Sequence, residues 1–149
     1  MLTRRSLTVH VLGAAFVAVG ATPSAAAPDL ATQDGFAIGG YDSVAYWNSN
    51  KALKGHSSFS FEWRRANWIF ATAENRDAFA AAPEKYAPVF NGYCAYCLGD
   101  HRLVPGVGEF WSISDGKLYL QATARERYAF DAKPDYHVRR AAQYWATLP

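Results

Sequence analysis

Apolar and polar residues alternate through Phe59-Ser60-Phe61-Glu62-Trp63, and a second apolar run, Trp68-Ile69-Phe70-Ala71, follows Arg64-Arg65-Ala66-Asn67. Period-two alternation in aromatic-rich segments marks half-buried strands, so this stretch predicts a β-hairpin. A second hairpin is predicted where Phe110-Trp111-Ser112-Ile113-Ser114 and Lys117-Leu118-Tyr119-Leu120-Gln121 flank the turn dipeptide Asp115-Gly116. Helix formers take over between and after the hairpins. Thr72 can cap a helix over residues 73–82, a further turn starts at Pro83 and breaks at Pro88, and residues 124–132 and 134–147 read as two closing helices. In the last of these Val138, Ala141, Ala142 and Trp145 share a face. The apolar run Ser43-Val44-Ala45-Tyr46-Trp47 is too short to assign, residues 51–57 read as a loop, and residues 103–108 form a Pro/Gly loop. Strand pairs interleaved with helices, without a βαβ rhythm, predict an α+β fold: a small single domain with two β-hairpins packed against helices. The sequence shows no evident internal repeat.

The N-terminus reads differently. Thr3-Arg4-Arg5-Ser6-Leu7 is a charged region, followed by an apolar run to Gly20 and the small residues Ser24-Ala25-Ala26-Ala27. This is the layout of a bacterial export signal, cleaved after Ala26, and the paired arginines suggest twin-arginine export. The apolar run is too short, and too interrupted by Gly and His, to be a membrane span. Residues 1–26 are thus expected to be a signal peptide, residues 27–35 a flexible leader and residues 36–148 the folded domain. The expected location is the periplasm, with no stable membrane insertion after cleavage.

Losing Arg4 and Arg5 leaves 13 basic against 13 acidic residues, so the remaining chain is neutral with His uncharged. A neutral chain without a basic block lacks the electrostatic footprint of nucleic-acid binding. Its aromatic content is high, with 5 Trp, 9 Tyr and 9 Phe in the whole sequence. Such side chains bury large areas, so one core is stable without a disulfide or metal staple.

Both cysteines of the chain lie in Gly92-Tyr93-Cys94-Ala95-Tyr96-Cys97-Leu98-Gly99-Asp100-His101. Two thiols three residues apart, with an imidazole just beyond, can ligate a soft metal, cycle as a dithiol or close as a small disulfide. Two thiolates suffice for Cu(I). Zn(II) would need a fourth ligand, with His56, His137 and Asp100 as candidates. Haem attachment is excluded because Leu98, not His, follows Cys97. A thioredoxin-like role is disfavoured, since there the cysteine pair opens a helix and here the surroundings read as loop. No nucleophile elbow, phosphate-binding loop or paired catalytic carboxylate is present. Asp42, after Gly39-Gly40-Tyr41, reads as an anchor for its turn rather than as a catalytic acid.

Gly40-Tyr41-Asp42-Ser43-Val44-Ala45-Tyr46-Trp47 resembles the opening of exported YHS-domain proteins. The likeness extends through Trp68-Ile69-Phe70-Ala71-Thr72-Ala73, Pro83-Glu84-Lys85-Tyr86, Gly92-Tyr93-Cys94-Ala95 and Asp115-Gly116-Lys117-Leu118-Tyr119-Leu120, over roughly residues 36–148. That resemblance implies a non-enzymatic, soft-metal (copper-like) binding accessory. The thiol positions of metal-associated members fall here on Ala45, Ala71 and Asn75, which cannot supply soft ligands. The metal site implied for this chain is therefore Cys94 and Cys97, with His101 as third ligand and a copper or zinc ion as cofactor. Its partner would be that metal ion or an unidentified periplasmic protein. Two alternatives stand beside it: a thiol/disulfide protein using Cys94 and Cys97, and a ligand- or partner-binding module with a structural disulfide.

Overall fold

The computed structural model describes residues 27–149, so the expected export signal lies outside the described residues. The two predicted hairpins form. Strand β3 (His56–Trp63) pairs antiparallel with β4 (Ala66–Phe70), and β5 (Val107–Ser114) pairs with β6 (Lys117–Gln121), Ser114 facing Lys117 across the Asp115-Gly116 turn. Ahead of them lie the two-residue strands β1 (Thr32–Gln33) and β2 (Phe36–Ala37), which pair with each other, giving three antiparallel pairs among the described residues. The helices are α1 (Ala45–Asn48), α2 (Ala73–Ala81), α3 (Pro83–Tyr86), α4 (Ala95–Gly99), α5 (Ala124–Ala132) and α6 (Pro134–Trp145). The fold is α+β, as the pattern predicts.

Two expectations change. Residues 27–35 are not a free tether. Leu30 and Ala31 are buried, the Ala31 amide donates to the Asn91 carbonyl at 2.8 Å, and Asn91 Nδ2 donates to the Pro28 carbonyl at 2.6 Å. Small residues without periodicity carry no local signal; what fixes them is Asn91, the pairing of β1 with β2 and the bond from Gln33 Nε2 to the Gly106 carbonyl at 2.8 Å. On α6, Ala141 is fully buried and Val138 and Trp145 pack inward, but Ala142 faces solvent.

The larger correction concerns repetition, because the domain is two copies of one supersecondary unit. Elements β3, β4, α2 and the start of α3 recur as β5, β6, α5 and the start of α6, each 51 positions further along. The sequence follows: Ala71-Thr72-Ala73, Arg76, Ala78-Phe79, Ala81 and Pro83 have identical counterparts in Ala122-Thr123-Ala124, Arg127, Ala129-Phe130, Ala132 and Pro134. Thr72 caps α2 by accepting the Asn75 N–H at 3.1 Å, and Thr123 caps α5 by accepting the Glu126 N–H at 3.2 Å. Both first strands carry an irregularity at the same place, between His56 and Ser60 and between Val107 and Trp111.

The loops before the hairpins also correspond. Gly55 N–H donates to the Gly40 carbonyl and Gly106 N–H to the Gly92 carbonyl, both at 2.9 Å. A Cβ on Gly55 would lie 2.4 Å from the Ile69 backbone, and one on Gly106 would lie 2.5 Å from Cβ of Leu120, the counterpart of Ile69. Only glycine permits these approaches.

Each unit buries an aromatic pair at its centre. Phe79 packs on Trp68 with ring centroids 4.7 Å apart and is also met by Phe61, Trp63 and Phe70. Phe130 packs on Tyr119 at 5.3 Å. The second unit then departs from the first by lengthening α3 into α6, on which α4 packs.

Candidate metal and thiol site

The C-x-x-C segment is not loop, because Cys94 opens helix α4. Cys94 is extended, with φ −61° and ψ 109°, and its Sγ accepts the Cys97 N–H at 3.1 Å in the manner of an N-cap side chain. Its own N–H donates to the Val104 carbonyl at 2.8 Å. Ala95 and Leu98 bury themselves against Phe90, Tyr119, Phe130 and Ala141, which seats α4 on α6. Both cysteines are fully buried, and their sulfurs are joined in a disulfide.

Helix α5 adds a carboxylate. Glu126 Oε2 lies 3.8 Å from Cys94 Sγ, and together Cys94, Cys97 and Glu126 offer three ligand atoms within 4.8 Å of one another. Glu126 Oε1 accepts from Arg102 Nη2 at 2.9 Å, and Oε2 accepts from the Thr123 hydroxyl at 3.3 Å. Its side chain is 14% exposed. Sulfur and Oε2 share no proton here, because a disulfide sulfur has none and a carboxylate only accepts. Their approach is therefore a contact between two electron-pair donors.

The histidines lie elsewhere. His101 is at a left-handed position (φ 57°), where the chain turns away after α4, and its ring stacks on Tyr144 with centroids 4.7 Å apart. It is not one of the clustered ligands. His56 is exposed on β3, and its Nδ1 accepts the Ser58 N–H at 3.2 Å. His137 packs on Tyr96 and Phe130. Burial, followed by nearby Arg140, holds its pKa below the ordinary 6.5. Asp100 pairs with Arg140 at 3.5 Å.

Ala45, Ala71 and Asn75 do converge in space, around the carboxylate of Asp42. Oδ1 accepts the N–H of Val44 at 2.9 Å and of Ala45 at 3.1 Å. Oδ2 accepts the N–H of Ala71 at 2.8 Å and Asn75 Nδ2 at 2.7 Å. With four donors on one fully buried carboxylate, these residues do not fit a metal ion. Asp42 is the anchor that its turn motif predicts.

The repeat relates the two places. At the start of the loops the offset is 52 positions, Tyr41 matching Tyr93 and Asp42 matching Cys94, and it returns to 51 at their partners, Lys54 matching Pro105 and Leu53 matching Val104. Asp42 thus corresponds to Cys94, Ala45 to Cys97, and Asn75 to Glu126. Sequence reasoning missed Glu126, which is 32 residues from Cys94. The Thr123-Ala124-Arg125-Glu126 capping pattern and the register of Ala71-Thr72-Ala73 on Ala122-Thr123-Ala124 were the signals that could have found it.

Comparison with known proteins finds no matching family model, no matching curated protein and no matching solved structure. Among the described residues, no helix is long and apolar enough to cross a membrane.

Proposed function

We propose that this protein is an exported, periplasmic domain of the YHS type that acts as a non-enzymatic soft-metal accessory, using Cys94 and Cys97 as thiolate ligands. The observation that carries the reading is the cluster itself: two sulfurs and one carboxylate oxygen within 4.8 Å, contributed by α4 and α5. Thiolates select soft and borderline ions, and a carboxylate adds a harder donor. The YHS assignment draws support from the way Ala45, Ala71 and Asn75, which that resemblance would group at one metal, meet around Asp42.

Metal binding on this reading belongs to the reduced protein, since disulfide sulfurs are not thiolates. The deciding experiment measures bound metal on protein purified with its thiols reduced. Stoichiometric copper or zinc that is lost in Cys94→Ser supports the reading, and no uptake after complete reduction rejects it. A second reading, a thiol/disulfide protein, is favoured by one observation, the Cys94–Cys97 bond. Reversible cycling with a protein dithiol and no metal uptake would select it.

A further inference from the structure

We infer that Glu126 is the third ligand of the Cys94–Cys97 site, and that the resulting donor set takes a borderline divalent cation of the zinc class. This rests on the metal-binding reading above and adds to it the residue and the ion. The repeat provides an internal control. At the first position Asp42 accepts from Asn75, acceptor against donor, and the junction between loop and helix closes without an ion. At the second, the same backbone frame sets Cys94 against Glu126, with Cys97 in place of Ala45.

Once reduced and deprotonated, all three groups are electron-pair donors, and no N–H lies among them except that of Cys97. While the sulfurs remain thiols, a proton on Cys94 Sγ fills the gap to Oε2; once both are thiolates, a divalent cation is the occupant that balances their charge. Arg102 answers Oε1 and is half exposed, while Oε2 accepts the Thr123 hydroxyl at 3.3 Å and keeps a second lone pair for the sulfur 3.8 Å away. Two thiolates and one carboxylate are three of the four ligands that tetrahedral zinc prefers, whereas Cu(I) is satisfied by the two thiolates alone. Glu126, though neither cysteine, also lines a cavity of about 410 Å³ with Tyr96, Asp100, Arg102 and Thr123, which has room for water.

The steps balance. A dithiol reductant gives two electrons and two protons, the Cys94–Cys97 bond breaks into two thiols, and the reductant leaves as its own disulfide. The divalent ion then displaces both thiol protons to solvent and joins two thiolates and the Glu126 carboxylate.

The test titrates phosphine-reduced protein with Zn(II) against a chromophoric chelator, and separately with Cu(I) against a Cu(I) chelator. The wild type is expected to bind one Zn(II), and Glu126→Gln to weaken it by about 10–100-fold, the scale on which metal-site partners act, while Cu(I) affinity stays within about threefold. His101→Ala should leave both titrations unchanged. Equal Zn(II) affinity in Glu126→Gln and wild type would overturn the role of Glu126 while leaving the metal reading intact, provided Cys94→Ser abolishes binding. Failure of the reduced wild type to bind either ion would overturn both. Should Glu126→Gln not fold, the visible spectrum of the Co(II)-loaded wild type decides: intense tetrahedral bands with thiolate charge transfer support the site, and an octahedral spectrum rejects it.

Discussion

Replacing Asp42 by Ala probes the first of the two junctions. The carboxylate is fully buried and accepts four hydrogen bonds, three from backbone N–H groups and one from Asn75. Removing it strands four donors. Each buried unsatisfied donor costs about 1–3 kcal/mol, a sum moderated because the desolvated carboxylate goes too and water can enter the space. Deleting one member of a buried charged network typically costs about 3–5 kcal/mol, and that is the expected loss. Asp42→Asn keeps one acceptor oxygen but turns an NH2 towards N–H donors at the other, so it should lose about half as much. Urea unfolding of both variants reads this directly. With a slope of about 1–3 kcal/mol per molar, the midpoint of Asp42→Ala should fall by at least about 1 M with the slope unchanged. A loss below about 1 kcal/mol in Asp42→Ala would show that the four bonds are not what closes the junction.

Three further outcomes follow from the packing and the site. Phe79→Ala removes the ring at the centre of the first unit and should cost about 3–5 kcal/mol in the same urea assay. Reducing the Cys94–Cys97 disulfide without metal should cost only about 2 kcal/mol, since the closed loop is so short, and the reduced protein should still unfold cooperatively. For His137, whose folded pKa lies below 6.5, the unfolded chain takes up the proton first as pH falls; its contribution is full above about pH 6.5 and is lost as pH drops through the folded value. Stability measured against pH should therefore decline more gently below pH 6.5 in His137→Phe than in the wild type.

Local chemistry explains what the sequence disclosed. The Asp115-Gly116 turn, the alternation through Phe59 to Trp63, the Thr72 cap and the Asp42 anchor all act within a few residues of themselves, and each is found where its pattern places it. Long-range pairing explains what it did not disclose. Ala31 is held through Asn91, some 60 residues away, and Leu30 by burial in the core, with no signal of their own. The spacing of Cys97 and His101 suggests one site, yet a left-handed residue turns the chain and sends the ring to Tyr144. Glu126 reaches Cys94 only through the packing of α5 against α4. The duplication was written in Ala71-Thr72-Ala73 and Ala122-Thr123-Ala124, but strand residues such as Trp68 and Tyr119 keep only their aromatic character, which hides the repeat from a reading by identity.

The most direct test of the metal reading is native mass spectrometry of the fully reduced protein with one equivalent of Zn(II), set beside Cys94→Ser and Cys97→Ser. The account predicts a single adduct whose mass equals the reduced chain plus one zinc less two protons, absent from both variants. A spectrum of metal-free protein, or adducts equally abundant in the variants, would contradict it.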